Sequence, residues 1–310
     1  MKYCIGIDIG GTTVKVAVFS QEGDIIEKWE VITRTEDEGI NILPDVSVSL
    51  ESKLVALQIT KEMLIGVGIG VPAPVSADGI VNGSANLGWK YKEVKKEAEL
   101  LFGVPVKVGN DANVAALGEM WKGGGQGYES LVMVTLGTGV GGGIIHNGQI
   151  LNGATGAGGE IGHICVNNFE TDHCGCGKQG CLEQYSSATG IVRLAKQHLA
   201  KSDKESLLRE GEVSAKSVFD AVKLGDQIAC EIADEVGRYL GYAIANIAVI
   251  VDPQVVVIGG GVSKAGTILL EYIEKYYQDK AFFANKKVKF VIATLENDAG
   301  VCGAAKLVLS

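Results

Sequence analysis

Residues 4–26 read CIGIDIGGTTVKVAVFSQEGDII, and residues 131–151 read LVMVTLGTGVGGGIIHNGQIL. Each stretch is an apolar strand, a Gly/Thr turn, a second apolar strand, a polar Gly turn and a third apolar strand. In the first copy the spacing predicts strands over 3–9, 14–19 and 25–31, with turns at Gly10-Gly11-Thr12 and Gln21-Glu22-Gly23-Asp24. The same unit occurring twice, this far apart, predicts two domains built on one supersecondary plan, each presenting a Gly/Thr hairpin. A length of 310 residues agrees, because one hydrophobic core seldom grows that large.

Between the copies, residues 47–60 carry apolar side chains at helical spacing and residues 64–71 read as a buried strand ending at Pro72, which predicts a βαβ crossover. An amphipathic helix is expected over 90–102, a strand over 104–108 and a second helix over 112–121. The run Gly123-Gly124-Gly125-Gln126-Gly127 is the best linker candidate. Further on, a long helix is expected over 228–251, stopped by Pro253, then a strand over 255–258 and a helix opened by Gly259-Gly260-Gly261.

Composition removes several function classes. A net charge of −9 and the absence of any basic run longer than Lys95-Lys96 or Lys286-Lys287 exclude a nucleic-acid footprint. The start MKYCIGIDIGG has no apolar stretch of signal-peptide length, and the most apolar region, 242–262, is broken by Asn246 and Asp252-Pro253. A cytoplasmic protein without membrane partners is the expectation. Gly makes up 43 of the 310 residues, clustered rather than periodic, so the chain has many sites where backbone turns sharply or approaches a ligand.

Four constellations carry chemistry. In Asp8-Ile9-Gly10-Gly11-Thr12-Thr13, amides unobstructed by side chains could wrap phosphate oxygens, with Asp8 placed to hold Mg²⁺ through water; a plain hairpin turn would look the same. The second loop, Thr135 to Gly141, tips the balance toward a phosphate clamp. Gly137, Gly139 and Gly142 also satisfy a dinucleotide fingerprint, but strand and turn residues follow where that fingerprint needs a helix. No Walker A pattern is present. In Gly109-Asn110-Asp111, between a strand and a helix, the Asn or Asp could be a simple N-cap. Alternatively, a carboxylate at the C-terminal edge of a parallel strand could act as general base toward a hydroxyl in phosphoryl transfer.

The fourth constellation is CGCGKQGCLE (174–183). Cys174, Cys176 and Cys181 with His163 form a Cys₃His set suited to closed tetrahedral Zn²⁺, with His173 an alternative ligand. Disulfides compete, but C-x-C is awkward for a bridge and three thiols cannot all pair. Cys4, Cys165, Cys230 and Cys302 read as small core residues. A metal here would have no open position and would instead fix Glu160 and His163 against Glu183, a polar wall with acceptors and a donor for vicinal hydroxyls.

Taken together, GIDIGGTTVK (6–15), GNDAN (109–113), TLGTGVGGG (135–143), GGEIGH (158–163), CGCGKQGCLE (174–183) and VIGGGVS (257–263) resemble the ROK (repressor, open reading frame, kinase) family of sugar kinases, above all its bacterial ATP-dependent glucokinases. The resemblance covers essentially the whole chain. It implies an α/β, two-domain actin-like (ribonuclease-H-like) fold with a cleft that closes on hexose and ATP, and a homodimer. The domains would be 1–121 and 122–296, with a terminal helix over 297–310 returning to the first. Asp111 would be the base on the 6-hydroxyl of glucose, and Asn86, Asn110, Glu160, His163 and Glu183 would hold the sugar. Asp8, Gly10, Gly11, Thr12, Thr13, Thr138 and Gly139 would face the phosphates of Mg·ATP. Gly259, Gly260 and Gly261 would line the adenosine site. Related glucokinases commonly read V-P-G-P-V where this chain has Val71-Pro72-Ala73-Pro74-Val75, so another hexose, such as N-acylmannosamine or fructose, is the alternative substrate. Family repressors and sugar sensors are the rivals of a different class. The phosphate hairpin starting at Tyr3 leaves no room for a preceding DNA-binding segment, and the retained Asp111 and two phosphate loops speak against a non-catalytic binder.

Overall fold

The computed structural model describes residues 1–309; Ser310, the last residue of the expected terminal helix, lies outside them. In chain order the first half contains β1 (Tyr3–Ile9), β2 (Thr13–Ser20), β3 (Ile25–Ile32), α1 (Glu36–Gly39), α2 (Ile42–Ala56), β4 (Leu64–Val71), α3 (Val94–Phe102), β5 (Val106–Asn110) and α4 (Asp111–Lys122). The second contains β6 (Leu131–Leu136), β7 (Val140–His146), β8 (Gln149–Ile150), α5 (Glu183–Ser186), α6 (Ala188–Lys201), α7 (Ala215–Lys223), α8 (Gln227–Val251), β9 (Val255–Gly259), α9 (Thr267–Lys280), β10 (Lys289–Ile292) and α10 (Ala299–Leu309).

The two sheets have the same topology. One runs β3-β2-β1-β4-β5 and the other β8-β7-β6-β9-β10. In each, the first three strands form an antiparallel meander and the last two join its first strand in parallel. Strands β1, β4 and β9 are almost wholly buried, as parallel strands covered on both faces must be. Edge strand β3 alternates between half-buried and exposed and carries Glu27, Lys28 and Glu30, charges that discourage further pairing.

The last helix of each half crosses to the other. Helix α10 lies on the first sheet so closely that a side chain at Gly6 or Gly68 would collide with the carbonyls of Val301 or Ala304. Helix α4 lies on the second sheet, where a Cβ at Gly143 would sit 2.6 Å from Ala116 Cβ. The two helices pack on each other through Gly118 and Gly303, whose missing side chains let the backbones touch.

Several element boundaries differ from the sequence reading. Helix α3 begins at Val94 rather than 90, because residues 81–92 are held in bridges, Val81 with Lys92 and Ser84 with Trp89. Helix α2 spans 42–56 rather than 47–60. Strand β5 starts at Val106, after Pro105, which has no N–H for a ladder. The glycine run expected as a linker is a tight turn in which the N–H groups of Gly123 and Gly125 both donate to Glu119 O at 3.0 Å. Gly259-Gly260-Gly261 does not open an α-helix directly. A short 3-10 segment (Gly261–Ala265) intervenes between the left-handed Gly260 and Gly266 (φ 83° and 81°), and α9 starts at Thr267. Helices α1, α5, α6 and α7 and strand β10 lie in segments for which the sequence reading predicts no element.

Candidate functional site

Two cavities meet between the halves. One, of about 540 Å³, is walled by Asn86, Asn110, Asp111, Glu160, His163 and Glu183. The other, of about 500 Å³, is lined by Asp8, Lys15, Asp111, Gly260 and Gly261 among others. Asp111, Ala112, Thr135 and Gly260 border both, so the two form one cleft with Asp111 at the junction.

Asp111 stands where parallel strand β5 gives way to α4. The N-cap is its neighbour: Asn110 Oδ1 accepts the N–H groups of Ala112 (3.0 Å) and Asn113 (3.1 Å). Asn110 Nδ2 donates to Ala73 O (3.3 Å) and to Asp111 Oδ1 (3.0 Å), and Ala112 N–H also donates to Asp111 Oδ1 (2.8 Å). Capping is thus delegated to Asn110. Burial pushes the Asp111 carboxyl up to about 6; the Ala112 N–H draws it down, and the nearby carboxylates of Asp8 and Glu160 raise it further. Burial also raises the Asp8 carboxyl, opposed by the charge of Lys15, its partner across the β1–β2 ladder. A Cβ at Gly300 would come within 2.5 Å of the Asp8 carboxylate, so α10 can pass there only as glycine.

On the opposite wall, the second Gly/Thr hairpin holds a carboxylate. Val140 N–H donates to Glu183 Oε2 (3.0 Å), and a side chain at Gly139 would overlap that oxygen. His163 Nε2 lies 3.9 Å from Glu160 Oε2, while its Nδ1 lies 3.8 Å from Cys174 Sγ. The donor atoms of His163, Cys174, Cys176 and Cys181 all fall within 4.8 Å of one another, with the sulfurs of Cys176 and Cys181 3.6 Å apart. A tetrahedron with bonds of about 2.0–2.3 Å has edges of about 3.3–3.8 Å, so the set fits a structural Zn²⁺. The sulfurs are too far apart for a disulfide, which needs about 2.05 Å. His173 pairs its backbone with Gln179 and is not part of the cluster. Cys165 is exposed, not a core residue as its sequence context suggested, because the loop running to the Cys-rich turn lies on the surface.

Of the residues expected at the nucleotide, Asp8 from the phosphate set and Gly260 and Gly261 from the adenosine set line the second cavity, while Gly139, expected at the phosphates, lines the first, against Glu183. Gly10, Gly11, Thr12, Thr13, Thr138 and Gly259 line neither. Gly11 instead abuts the backbone of Asn86, Thr138 O accepts the Thr189 hydroxyl (2.8 Å), and Gly259 is buried at the end of β9. Thr135 entered the sequence reading only as the start of the second loop, and Lys15 and Lys264 did not enter it as site residues. Lys15 was legible: strand alternation from Asp8 across the hairpin register puts both on one face.

A profile of the ROK family matches residues 4–310. The chain is 43% identical over 313 residues to a glucokinase of Halalkalibacterium halodurans, covering 99% of this chain and 95% of that protein. It is 36% identical over 319 residues to a glucokinase of Streptomyces coelicolor, covering 99% of this chain and 98% of that protein. A ROK family glucokinase from Streptomyces griseus, solved in complex with glucose and AMPPNP, superposes with a TM-score of 0.74 at 34% identity, covering 98% of each chain.

Proposed function

This chain belongs to the ROK family, and from that premise we propose that it transfers the γ-phosphoryl group of ATP to the 6-hydroxyl of glucose, as a glucokinase. The observation that carries the reading is a single aspartate, its carboxyl raised to about 6, at the point where a cavity walled by polar acceptors joins a cavity lined by Asp8, Lys15 and glycine backbone.

Asp111 accepts the proton of the attacking hydroxyl. Two hydrogen bonds already occupy Oδ1, so Oδ2 is the oxygen assigned to the sugar. Raised toward the operating pH, the carboxylate is a stronger base than an exposed aspartate while still largely ionised at pH 7. Asn86, Asn110, Glu160, His163 and Glu183 hold the other hydroxyls. His163 turns Nδ1 to the zinc set and keeps Nε2 for sugar, so the metal orients a binding residue without entering the reaction. Asp8, Gly260 and Gly261 face the nucleotide side, and Gly10 to Thr13, Thr138 and Gly259, outside the cavity walls, act through the backbone they shape, whereas Gly139, expected at the phosphates, lines the sugar cavity instead. Mg²⁺, when bound with ATP, neutralises phosphate charge. The remaining catalysis is positioning and water exclusion as the cleft closes.

We divide the chain into domains 1–121 and 122–296, with the terminal helix from 297 packed on the first, and infer a cytoplasmic homodimer. No helix among the described residues is long and apolar enough to cross a membrane. A coupled ADP-release assay over glucose, mannose, fructose and N-acetylmannosamine tests the activity. Turnover with glucose at the highest kcat/KM is the expected result, and no turnover with any of the four would remove the kinase reading.

A further inference from the structure

The phosphotransfer chemistry leaves one buried charge without a task. Glu119, on the last turn and a half of α4, has no exposed surface, and burying a carboxylate is costly unless its lone pairs are filled. Three backbone N–H groups fill them. Oε2 accepts from Gly124 (2.8 Å) and Thr294 (3.1 Å), and Oε1 accepts from Leu295 (2.9 Å).

The donors have a common location in the chain path. Gly124 directly follows α4, the helix by which the polypeptide crosses from β5 of the first sheet to β6 of the second; Thr294 and Leu295 follow β10, where it returns toward α10 on the first sheet. Glu119 therefore ties the outgoing crossing to the returning one. Glycines press the two together: a Cβ at Gly124 would lie 2.5 Å from Ile292 O, and one at Gly123 would overlap Glu119 itself. The same α4 carries Asp111 at its other end, eight residues away and so about 12 Å along the axis. Asp111 borders the nucleotide-side cavity, and the fully buried Glu119 lies just behind its wall.

We propose that Glu119 is the pivot of cleft closure, a positioning residue whose three backbone hydrogen bonds lock the two crossings together and so fix the path along which α4 brings Asp111 to the substrates. This rests on the phosphotransfer reading above for its consequence, though not for its geometry. Relative motion of two halves linked by two strands of chain needs a fixed point, or the halves slide as well as rotate. A carboxylate serves because it accepts on two oxygens at once. The amide of Gln cannot, since its NH₂ would face at least one of the three N–H donors.

Glu119→Gln is tested by steady-state kinetics and by small-angle X-ray scattering with and without glucose plus AMPPNP. The wild type is expected to compact on binding both. In the variant, kcat is expected to fall by about tenfold or more with glucose KM within about threefold, and the ligand-induced drop in radius of gyration to shrink by about half or more. Wild-type kcat in the variant, undiminished compaction, or a wild type that turns over without compacting would each overturn the assignment. Should the variant fail to fold, amide hydrogen exchange on the unliganded wild type decides. Gly124, Thr294 and Leu295 are expected to exchange slowly and as one cooperative group, and independent exchange at exposed-loop rates would overturn the pivot. Absence of glucose turnover in the wild type would sink the phosphotransfer reading instead and leave the exchange result standing.

Discussion

The two halves of the molecule share a sheet and differ in what they hang on it. Strand order and direction are the same in both, and each half lends its final helix to the other. The difference lies in the connection after the third strand. Between β3 and β4 the first half has little more than α1 and α2, whereas between β8 and β9 the second has the Cys-rich loop and α5 to α8. The shared backbone supplies a cleft, and each half adds its own side chains to it. In the first half these are, on the proposed reading, Asp111 as base and its neighbour Asn110, on the end of a strand. In the second they are Glu160, His163 and Glu183, on a loop held by thiolates.

The base should be the more demanding of the two. Asp111→Ala is expected to lower kcat by about 10³-fold while leaving glucose affinity within about tenfold, because loss of a base acts on the transition state. Retained kcat would break the division of labour. The wild-type kcat/KM should be flat above pH 6 and fall about tenfold per unit below it, since the base must be ionised. Stability should show the opposite sense. A carboxyl whose folded value lies near 6, above its ordinary 3.8, favours the folded state only when protonated, so this contribution is lost as pH rises through 6. Asp111→Asn should therefore stabilise the protein by about 3 kcal/mol at pH 7–8, a gain that fades toward pH 4 in thermal or urea unfolding.

The loop half is broken through its metal. Elemental analysis should give about one zinc per chain, and Cys176→Ser, or a chelator, should raise glucose KM by about 10- to 100-fold with a smaller loss of kcat. A metal-free protein with unchanged KM would show that hydrogen bonds alone hold the wall. Gly139→Ala probes the same wall from the hairpin. The added methyl displaces the Glu183 carboxylate from Val140 N–H, and glucose KM should rise by about tenfold.

What the sequence showed of this contrast follows its physics. The hairpin repeat, the zinc set and the strand-edge aspartate were readable because each is local: a turn, a Cys spacing and a cap position. The full equality of the two sheets was not, since β4, β5, β9 and β10 pair in parallel through long connections that leave no short-range mark. The return of the terminal helix to the first half came only from the family resemblance, while the passage of α4 onto the second sheet, and Glu119 beneath it, were hidden for the same reason. A glutamate in an amphipathic helix looks solvated until the distant Thr294 and Leu295 are brought to it. The glycine run after α4 looked like a flexible linker by composition, yet at Gly123, Gly124 and Gly125 a neighbouring atom occupies the side-chain position, and Gly127 takes a positive φ of 90°.

The smallest expected effect sharpens the comparison most finely. Ala73 stands where related glucokinases commonly have glycine, and its carbonyl accepts Asn110 Nδ2 beside the base. Ala73 is only 5% exposed, belongs to the apolar core of the first half and borders the sugar cavity, an arrangement in which its methyl is expected to serve packing and its backbone to meet the sugar. If the first half contributes backbone to sugar recognition and the second contributes side chains, Ala73→Gly should change the ratio of kcat/KM between glucose, mannose and N-acetylmannosamine by no more than about threefold. A methyl in direct contact with the sugar would instead be worth about 10-fold or more in that ratio. A change of that size would move Ala73 from the scaffold into the pocket and make hexose choice a property of both halves.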